Sequence, residues 1–531
     1  MNRGHECESS CFVPVRARCA STGAAAGSAI GDALVWAYPI ACRRDTLVIL
    51  FNAFGVRTAR QVIHLVEHRS GCAIVEATVC RRTSSSTAGS GAHGARRSGS
   101  NPWIARAFPR ETTLTSSQKA PLVIVGASYA GTHLAAAARE LGFDGPIVLI
   151  GDEPHAPYQR PPLSKGLLTG KTGMGQLALR SPDFYTEQCI DLRVGQRATA
   201  LDLAARRVRL ADGEHLEYGW LALATGARCR PLPVPGAELQ GVHQLRTLDD
   251  ALAVQRRLGR CSSACIVGGG FIGLEVAAAL ISAGTRVTVV ESQTRLLARA
   301  FPAFMSDYVA HAHRRRGVSL ELGRSVRALL GRQGSVEAVQ FDDGRTLDCD
   351  LVVTGIGVLP NTELADAAGI ACDDGILVDA LGRTSVRNVL AVGDVANMTQ
   401  PPFPGSPARM RFESIQAASD GARAAASVLV GRPQPLSAVP WFWSEQHDLR
   451  FQMAGLPSSG DQVVLRGAPA SDRFTVFYLH DGAMAAAHSV NRPSDHVLAR
   501  KLIAQRSHIP AATLADPTAD LRSMIDAGQV N

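Results

Sequence analysis

Lysine is nearly missing from this 531-residue chain: four occur, at Lys119, Lys165, Lys171 and Lys501, and arginine carries almost all remaining positive charge. Charged residues make up only 19% of the chain, low for a soluble protein. No apolar run reaches the roughly 18 residues that would span a bilayer; the longest candidate, residues 47–56, is interrupted by Asn52. No membrane association is therefore expected. Nor does any C-x-x-C pair occur among the twelve cysteines, which leaves zinc ribbons and thioredoxin-type motifs unsupported. No metal site is expected. Six cysteines (Cys7, Cys11, Cys19, Cys42, Cys72, Cys80) precede residue 81, and Cys261 and Cys265 read as small buried residues. The body reads as a cytoplasmic protein with reduced thiols.

The formal charge of +8 is uneven, since fourteen arginines face seven acids before Lys119. The near-neutral remainder argues against a nucleic-acid-binding body. Residues 1–118 read as a leader, poorly ordered or an over-extended start. Their Arg-rich, acid-poor balance also fits a transit peptide, and the Ser, Gly, Ala and Arg tail of residues 81–117 reads as a linker or disordered segment.

What is there begins with residues 265–291, CIVGGGFIGLEVAAALISAGTRVTVVE. A short apolar strand leads into Gly268, Gly270 and Gly273, a helix pattern runs to about Ala283, and a β-branched strand ends on Glu291. The first glycine allows the tight turn, the second lets backbone approach a pyrophosphate, and the third lets helix pack on strand. A carboxylate at Glu291 accepts from both ribose hydroxyls and repels a 2′-phosphate, which favours NAD over NADP. Residues 121–152 repeat the pattern: a strand to Val125, Gly126 through Gly131 opening a helix, and a strand closed by Gly151 and Asp152. Ser128 stands at the second glycine position, where its Cβ restricts approach. Two such units in one chain suggest a flavin nucleotide on one and a nicotinamide nucleotide on the other.

Prolines brace the loop of residues 154–170, so Arg160 and Lys165 are presented on a constrained path. A strand over residues 389–395 delivers Asp394 at its C-terminal end, where open α/β sheets bind ligands. Residues 221–228 and 351–360 read as strands ending in tight turns, 248–258 and 411–430 as helices, and 433–440 as a linker.

The segments VIVGASYAG, YQRPPLSKGLL, LALATGARCRPLPVPG, LRTLDDA, GGGFIGLEVAA, GIGVLPN, AVGDVA and PWFWSEQ occur here in order. In this the chain resembles the NADH-dependent ferredoxin reductases of bacterial oxygenase systems, from about residue 120 to its end. The resemblance implies an α/β fold: two Rossmann-like, glutathione-reductase-like dinucleotide domains plus a C-terminal α+β domain. It divides the chain into an FAD domain (119–236 and 363–436) split around an NAD domain (237–362), with 437–531 lying against the flavin. Gly126, Ala130 and Gly131 would hold the FAD pyrophosphate and Asp152 its ribose. Arg160 and Lys165 would lie along the FAD, Ala198 on the adenine side, Arg246 against FAD, Asp394 on the ribityl chain and Ile415 at the pyrimidine edge. Thr225, Gly226 and Gly393 sit in the same motifs. The NAD(H) positions would be Gly268, Gly270, Phe271, Ile272, Gly273, Glu291, Arg299 and Gly357. Trp443 would stand beside the isoalloxazine.

Several residues keep two readings. Lys165 is a solvated surface lysine or a cation near flavin N5. Glu275 complements the helix dipole or, as in similar proteins, pairs with that lysine. Trp443 is a core aromatic or the marker of the electron-acceptor face. No cysteine lies between Gly126 and Gln188, so no thiol on that stretch can pass electrons on. The resemblance then implies a ferredoxin or rubredoxin as acceptor and an oxygenase downstream, with an arginine patch guessed at Arg409, Arg411 and Arg423 for the acidic partner. The alternatives are a nitrite- or quinone-reductase type of flavoprotein and an apoptosis-inducing-factor-like signalling flavoprotein.

Overall fold

A computed structural model describes residues 37–43, 46–51, 120–399 and 409–527. The chain divides into two compact units, residues 1–100 and 101–531. In the first, Ala37–Arg43 pairs antiparallel with Thr46–Phe51. The rest of the expected leader, including the tail of residues 81–117, lies outside the described residues.

The second unit is built on three five-stranded sheets. The first runs Val389–Ala391, Trp220–Leu223, Leu122–Val125, Ile147–Ile150 and Ile190–Arg193, all parallel. Leu122–Val125 and Trp220–Leu223 are buried at every position, as parallel strands covered on both faces must be. Leu122 and Ile124 pack with the helices Tyr129–Leu141 and Ile415–Leu429; Val123 and Val125 face a second core with Val208, Ile376 and Val395. The second sheet, also parallel, orders Val242–Gln244, Leu351–Thr354, Ser263–Val267, Arg286–Glu291 and Val318–Leu322. Helix Phe271–Ser282 crosses between its third and fourth strands.

The third sheet is antiparallel: Trp441–Gln446, Leu449–Gly455, Ala483–Val490, Arg473–His480 and Gln462–Ala468. Helix Pro493–Ala504 closes one face with Leu502 and Ile503. The other face shares a core with the second sheet's helices, Phe451 and Phe474 packing with Phe301 and Met305. Tyr308 stacks edge-on against Phe474 at 4.7 Å.

Two boundaries differ from the sequence reading, each for a local reason. The helix expected from Arg411 begins at Ile415, because the Ser414 hydroxyl accepts from Ala417 N at 3.1 Å and caps it. The strand expected to carry Asp394 ends at Ala391, and Asp394 sits in a 3-10 turn over Gly393–Val395.

Candidate functional site

The two glycine loops are built alike. Gly126 and Gly268 sit at φ 116° and 114°, and a Cβ on either would run into the carbonyl of Ala224 or Gly355 in the neighbouring strand-end turn. Each loop therefore nests against the next crossover of its own sheet, and only glycine fits. Ser128 and Gly270 are the N-caps of their helices, both with extended backbone. The Ser128 side chain caps nothing and Gly270 has none to offer. Both helices thus aim uncapped N-termini out of the loops, the arrangement that receives a phosphate. A Cβ on Gly270 would meet only the Gly355 carbonyl, at 3.9 Å, so the approach there is open. The residues present fit two dinucleotides.

On the first loop's side, the structure gathers most of the expected flavin residues. Gly393 abuts the Ala130 methyl, and Arg246 Nη2 donates to Asp394 Oδ2 at 2.7 Å. Burial pulls the Arg246 guanidinium down in pKa, and Asp394 more than offsets it, leaving it raised. Gly226 lies beside that guanidinium. Thr225 is tied to Asn361 by two bonds, Oγ1 donating to Asn361 O at 2.7 Å and Asn361 Nδ2 to Thr225 O at 2.8 Å. Arg160 donates to Glu153 at 2.5 Å, to the Arg246 carbonyl at 2.6 Å and to Ser128 Oγ at 3.2 Å. Glu153 and Tyr158, which completes this clasp, were not singled out by sequence reasoning, although Tyr158 opens the segment YQRPPLSKGLL. Asp152 is exposed at its strand end, and Ala198 lies in a small separate sheet near it, where Gln196 N donates to Gly151 O at 2.9 Å. Ile415 opens its helix.

On the second loop's side, Glu291 Oε2 accepts from Gly269 N at 2.7 Å and Oε1 from Gln293 N at 2.8 Å. Its carboxylate lies across the glycine loop. Gly357 and Arg299 adjoin: a Cβ on Gly357 would lie 3.4 Å from Arg299 Nη2. Phe271 packs on Phe442 at 4.9 Å, whereas Ile272 is exposed.

On the helix that the second loop opens stands Glu275. It lies beyond the first turn of helix Phe271–Ser282, so the dipole reading does not apply, and it is 2% exposed. Its Oε2 accepts from Lys165 Nζ at 2.7 Å and from Ser164 Oγ at 2.5 Å, and its Oε1 from Ser444 Oγ at 2.6 Å. Burial of an unpaired carboxylate is strongly unfavourable; three donors from two parts of the chain, the proline-braced loop and the strand Trp441–Gln446, offset that cost. Lys165 follows the 3-10 turn Pro161–Ser164, and the flanking Leu163 and Leu167 are sunk in the core, which fixes where the ammonium can go. Trp443 is half-buried and stacks on Trp441 at 5.6 Å. Sequence reasoning missed Ser164 and Ser444, although each directly follows or precedes a residue it chose.

The arginine patch does not form as guessed. Arg409 turns inward to the carbonyls of Val378 and Asn397. Arg411 is nearly buried between Asp374 and Glu413, and Arg423 is paired with Glu140. A sequence shows charge but not the direction a side chain takes.

Residues 120–422 match the pyridine nucleotide-disulphide oxidoreductase family and residues 441–525 the reductase C-terminal family. The chain is 43% identical over 404 residues to rhodocoxin reductase of Rhodococcus erythropolis, covering 76% of this chain and 94% of that protein. It is 42% identical over 406 residues to the anthranilate 1,2-dioxygenase system ferredoxin–NAD(+) reductase component of Burkholderia cepacia, covering 76% and 99%. Among solved structures, the covalent putidaredoxin reductase–putidaredoxin complex is similar with a TM-score of 0.75 at 37% identity, covering 78% of this chain and 99% of that one. Two glycine loops, the Lys165–Glu275 pair and these similarities lead to one conclusion: the chain belongs to the ferredoxin reductases of the pyridine nucleotide-disulphide oxidoreductase family, flavoproteins that use FAD and NAD(P)H.

Proposed function

We propose that this chain is an NADH:ferredoxin oxidoreductase that passes electrons singly to a small iron–sulfur protein or rubredoxin of an oxygenase system. The observation that carries the reading is the Lys165–Glu275 pair, its carboxylate buried, on the helix that the second glycine loop opens. When bound, FAD supplies the chemistry of accepting a hydride from NADH and giving up electrons one at a time. The chain supplies distance, orientation and field.

Gly126, Ala130 and Gly131 cradle the flavin nucleotide's pyrophosphate with the amides of helix Tyr129–Leu141, and Asp152, with Ala198 near it, takes the adenosine end. Arg160, Thr225, Gly226, Arg246, Gly393, Asp394 and Ile415 line its path, with Asp394 accepting from a ribityl hydroxyl while Arg246 holds the carboxylate still. Gly268, Gly270, Phe271, Ile272 and Gly273 receive the nicotinamide nucleotide, with Gly357 and Arg299 flanking it. Glu291, held across the loop by Gly269 N and Gln293 N, meets the ribose and excludes a 2′-phosphate, so NADH is preferred. Lys165 places its ammonium near the reacting end, and Trp443 covers the flavin on the side from which the acceptor draws electrons.

The test is a steady-state assay of the flavin-loaded protein with NADH and cytochrome c. Reduction is expected only once a small iron–sulfur protein is added. Equal rates without it, or with quinone in its place, would overturn the reading.

A further inference from the structure

Glu275 is the end of a longer buried chain. Gln446 Nε2 donates to Ser444 Oγ at 3.0 Å, and His313 Nε2 lies 2.8 Å from Gln446 Oε1. Ser444, Gln446 and His313 are each fully buried. Burial lowers the His313 pKa, only partly opposed by its bond to Gln446, so the ring is neutral and carries a single N–H. Gln446 Oε1 can only accept, which places that proton on Nε2. The amide then donates to the Ser444 oxygen, and the Ser444 proton is left for Glu275 Oε1. Every bond therefore points one way, from His313 through Gln446 and Ser444 to the carboxylate. An amide in the middle does not pass protons along, so this is a fixed line of dipoles.

The line joins three parts of the fold. Lys165 belongs to the proline-braced loop, Glu275 to the helix of the second glycine loop and His313 to helix Ala303–Arg315 of the same region, while Ser444 and Gln446 belong to the first strand of the C-terminal sheet. That strand alternates: Phe442, Ser444 and Gln446 face the helix, with Phe442 on Phe271, and Trp441 and Trp443 stack together on the opposite face. One strand thus carries both Trp443 and the donor to Glu275.

We propose that Ser444, held by Gln446 and His313, is a positioning residue for electron input. It fixes one oxygen of Glu275 so that the other faces Lys165 and Ser164, and so sets where the Lys165 ammonium stands when NADH reduces the flavin. The proposal rests on the reading of the chain as an NADH-reduced flavoprotein.

It is tested on flavin-loaded protein by rapid-mixing measurement of flavin reduction over a range of NADH concentrations, for wild type, S444A, S444T, E275Q and S444A/E275Q. S444A is expected to lower the limiting rate about 10-fold, as loss of a supporting hydrogen bond commonly does, with the NADH dissociation constant unchanged. S444T, which keeps the hydroxyl, is expected to recover most of the rate. On the E275Q background S444A is expected to change the rate by less than about 2-fold, because residues acting through one another are not additive. The same fold-loss on both backgrounds, an unchanged S444A rate, or a loss confined to NADH affinity overturns the proposal. If S444A does not retain flavin, S444C, which keeps the volume with a weaker donor, is read by the same criteria. Wild-type flavin that NADH does not reduce would instead overturn the underlying functional reading.

Discussion

Lys165 Nζ stands 2.7 Å from Glu275 Oε2 although 110 residues separate them, and the Glu275 side chain is almost wholly shielded while that of Lys165 keeps 18% of its surface exposed. The pair ties the proline-braced loop to the helix of the second glycine loop. Such a pair is weak evidence of stability by itself, since desolvation opposes the attraction, but breaking it from one side strands a buried charge. K165M should therefore destabilise the flavin-loaded protein by about 3 kcal/mol, a figure lowered toward 2 kcal/mol by the exposure of Lys165. The double change K165M/E275L should recover most of the loss. Denaturant unfolding of the three proteins checks this; a double variant no more stable than K165M would contradict it.

Glu291 sets the expectation for the nicotinamide nucleotide. Its carboxylate is held across the loop by Gly269 N and Gln293 N, so it cannot easily swing aside from a 2′-phosphate. Removing the charge in E291Q should relieve like-charge repulsion, worth at least about 1.4 kcal/mol or tenfold. The kcat/KM ratio of NADPH to NADH should rise by about that factor or more. An unchanged ratio would mean that discrimination lies elsewhere.

Arg246 and Asp394 should act as one unit in retaining flavin. The guanidinium is held by Asp394 at 2.7 Å and sits beside Gly226 and the Arg160 clasp. D394A frees a cation in the proposed flavin site and removes a ribityl acceptor. FAD affinity should fall about 10- to 100-fold, equivalent to about 1.4–2.8 kcal/mol, measured by fluorescence titration of the apoprotein. R246A should fall less, because Asp394 remains to accept.

Both glycine loops, their flanking strands and the acidic strand end at Glu291 were legible in the sequence because each is local: a turn that only glycine can make sits between two short apolar runs. The Lys165–Glu275 pair was implied only by resemblance, since nothing in either segment points to the other. The Ser444–Gln446–His313 line was not read at all. Its members are polar residues in stretches that look like ordinary strand and helix, and they meet only when the C-terminal sheet packs on helix Ala303–Arg315. The inward turn of Arg409 and the pairing of Arg423 with Glu140 are likewise tertiary outcomes. Ser414 shows the converse: its cap is local, and a serine three residues before the Ala417 amide is a readable helix start.

Acid sensitivity should come in part from His488. It lies on the central strand Ala483–Val490, its ring 4.9 Å from those of Phe301 and Tyr478, with Nδ1 3.1 Å from the Tyr478 hydroxyl. Burial pushes it down to about 3, against about 6.5 in an unfolded chain. Between those values the unfolded chain binds a proton that the folded one does not, so stability rises with pH there. The stability from keeping this ring neutral is complete above about pH 6.5 and is lost as pH falls toward the folded value, at up to about 1.4 kcal/mol per pH unit. Stability of wild type and H488Q, followed by denaturant unfolding from about pH 7 to pH 5, should show a flatter slope for the variant. Carboxylates that also protonate in acid affect both proteins equally, so the difference in slope isolates His488; parallel curves would show that the ring accepts its proton without opening the sheet.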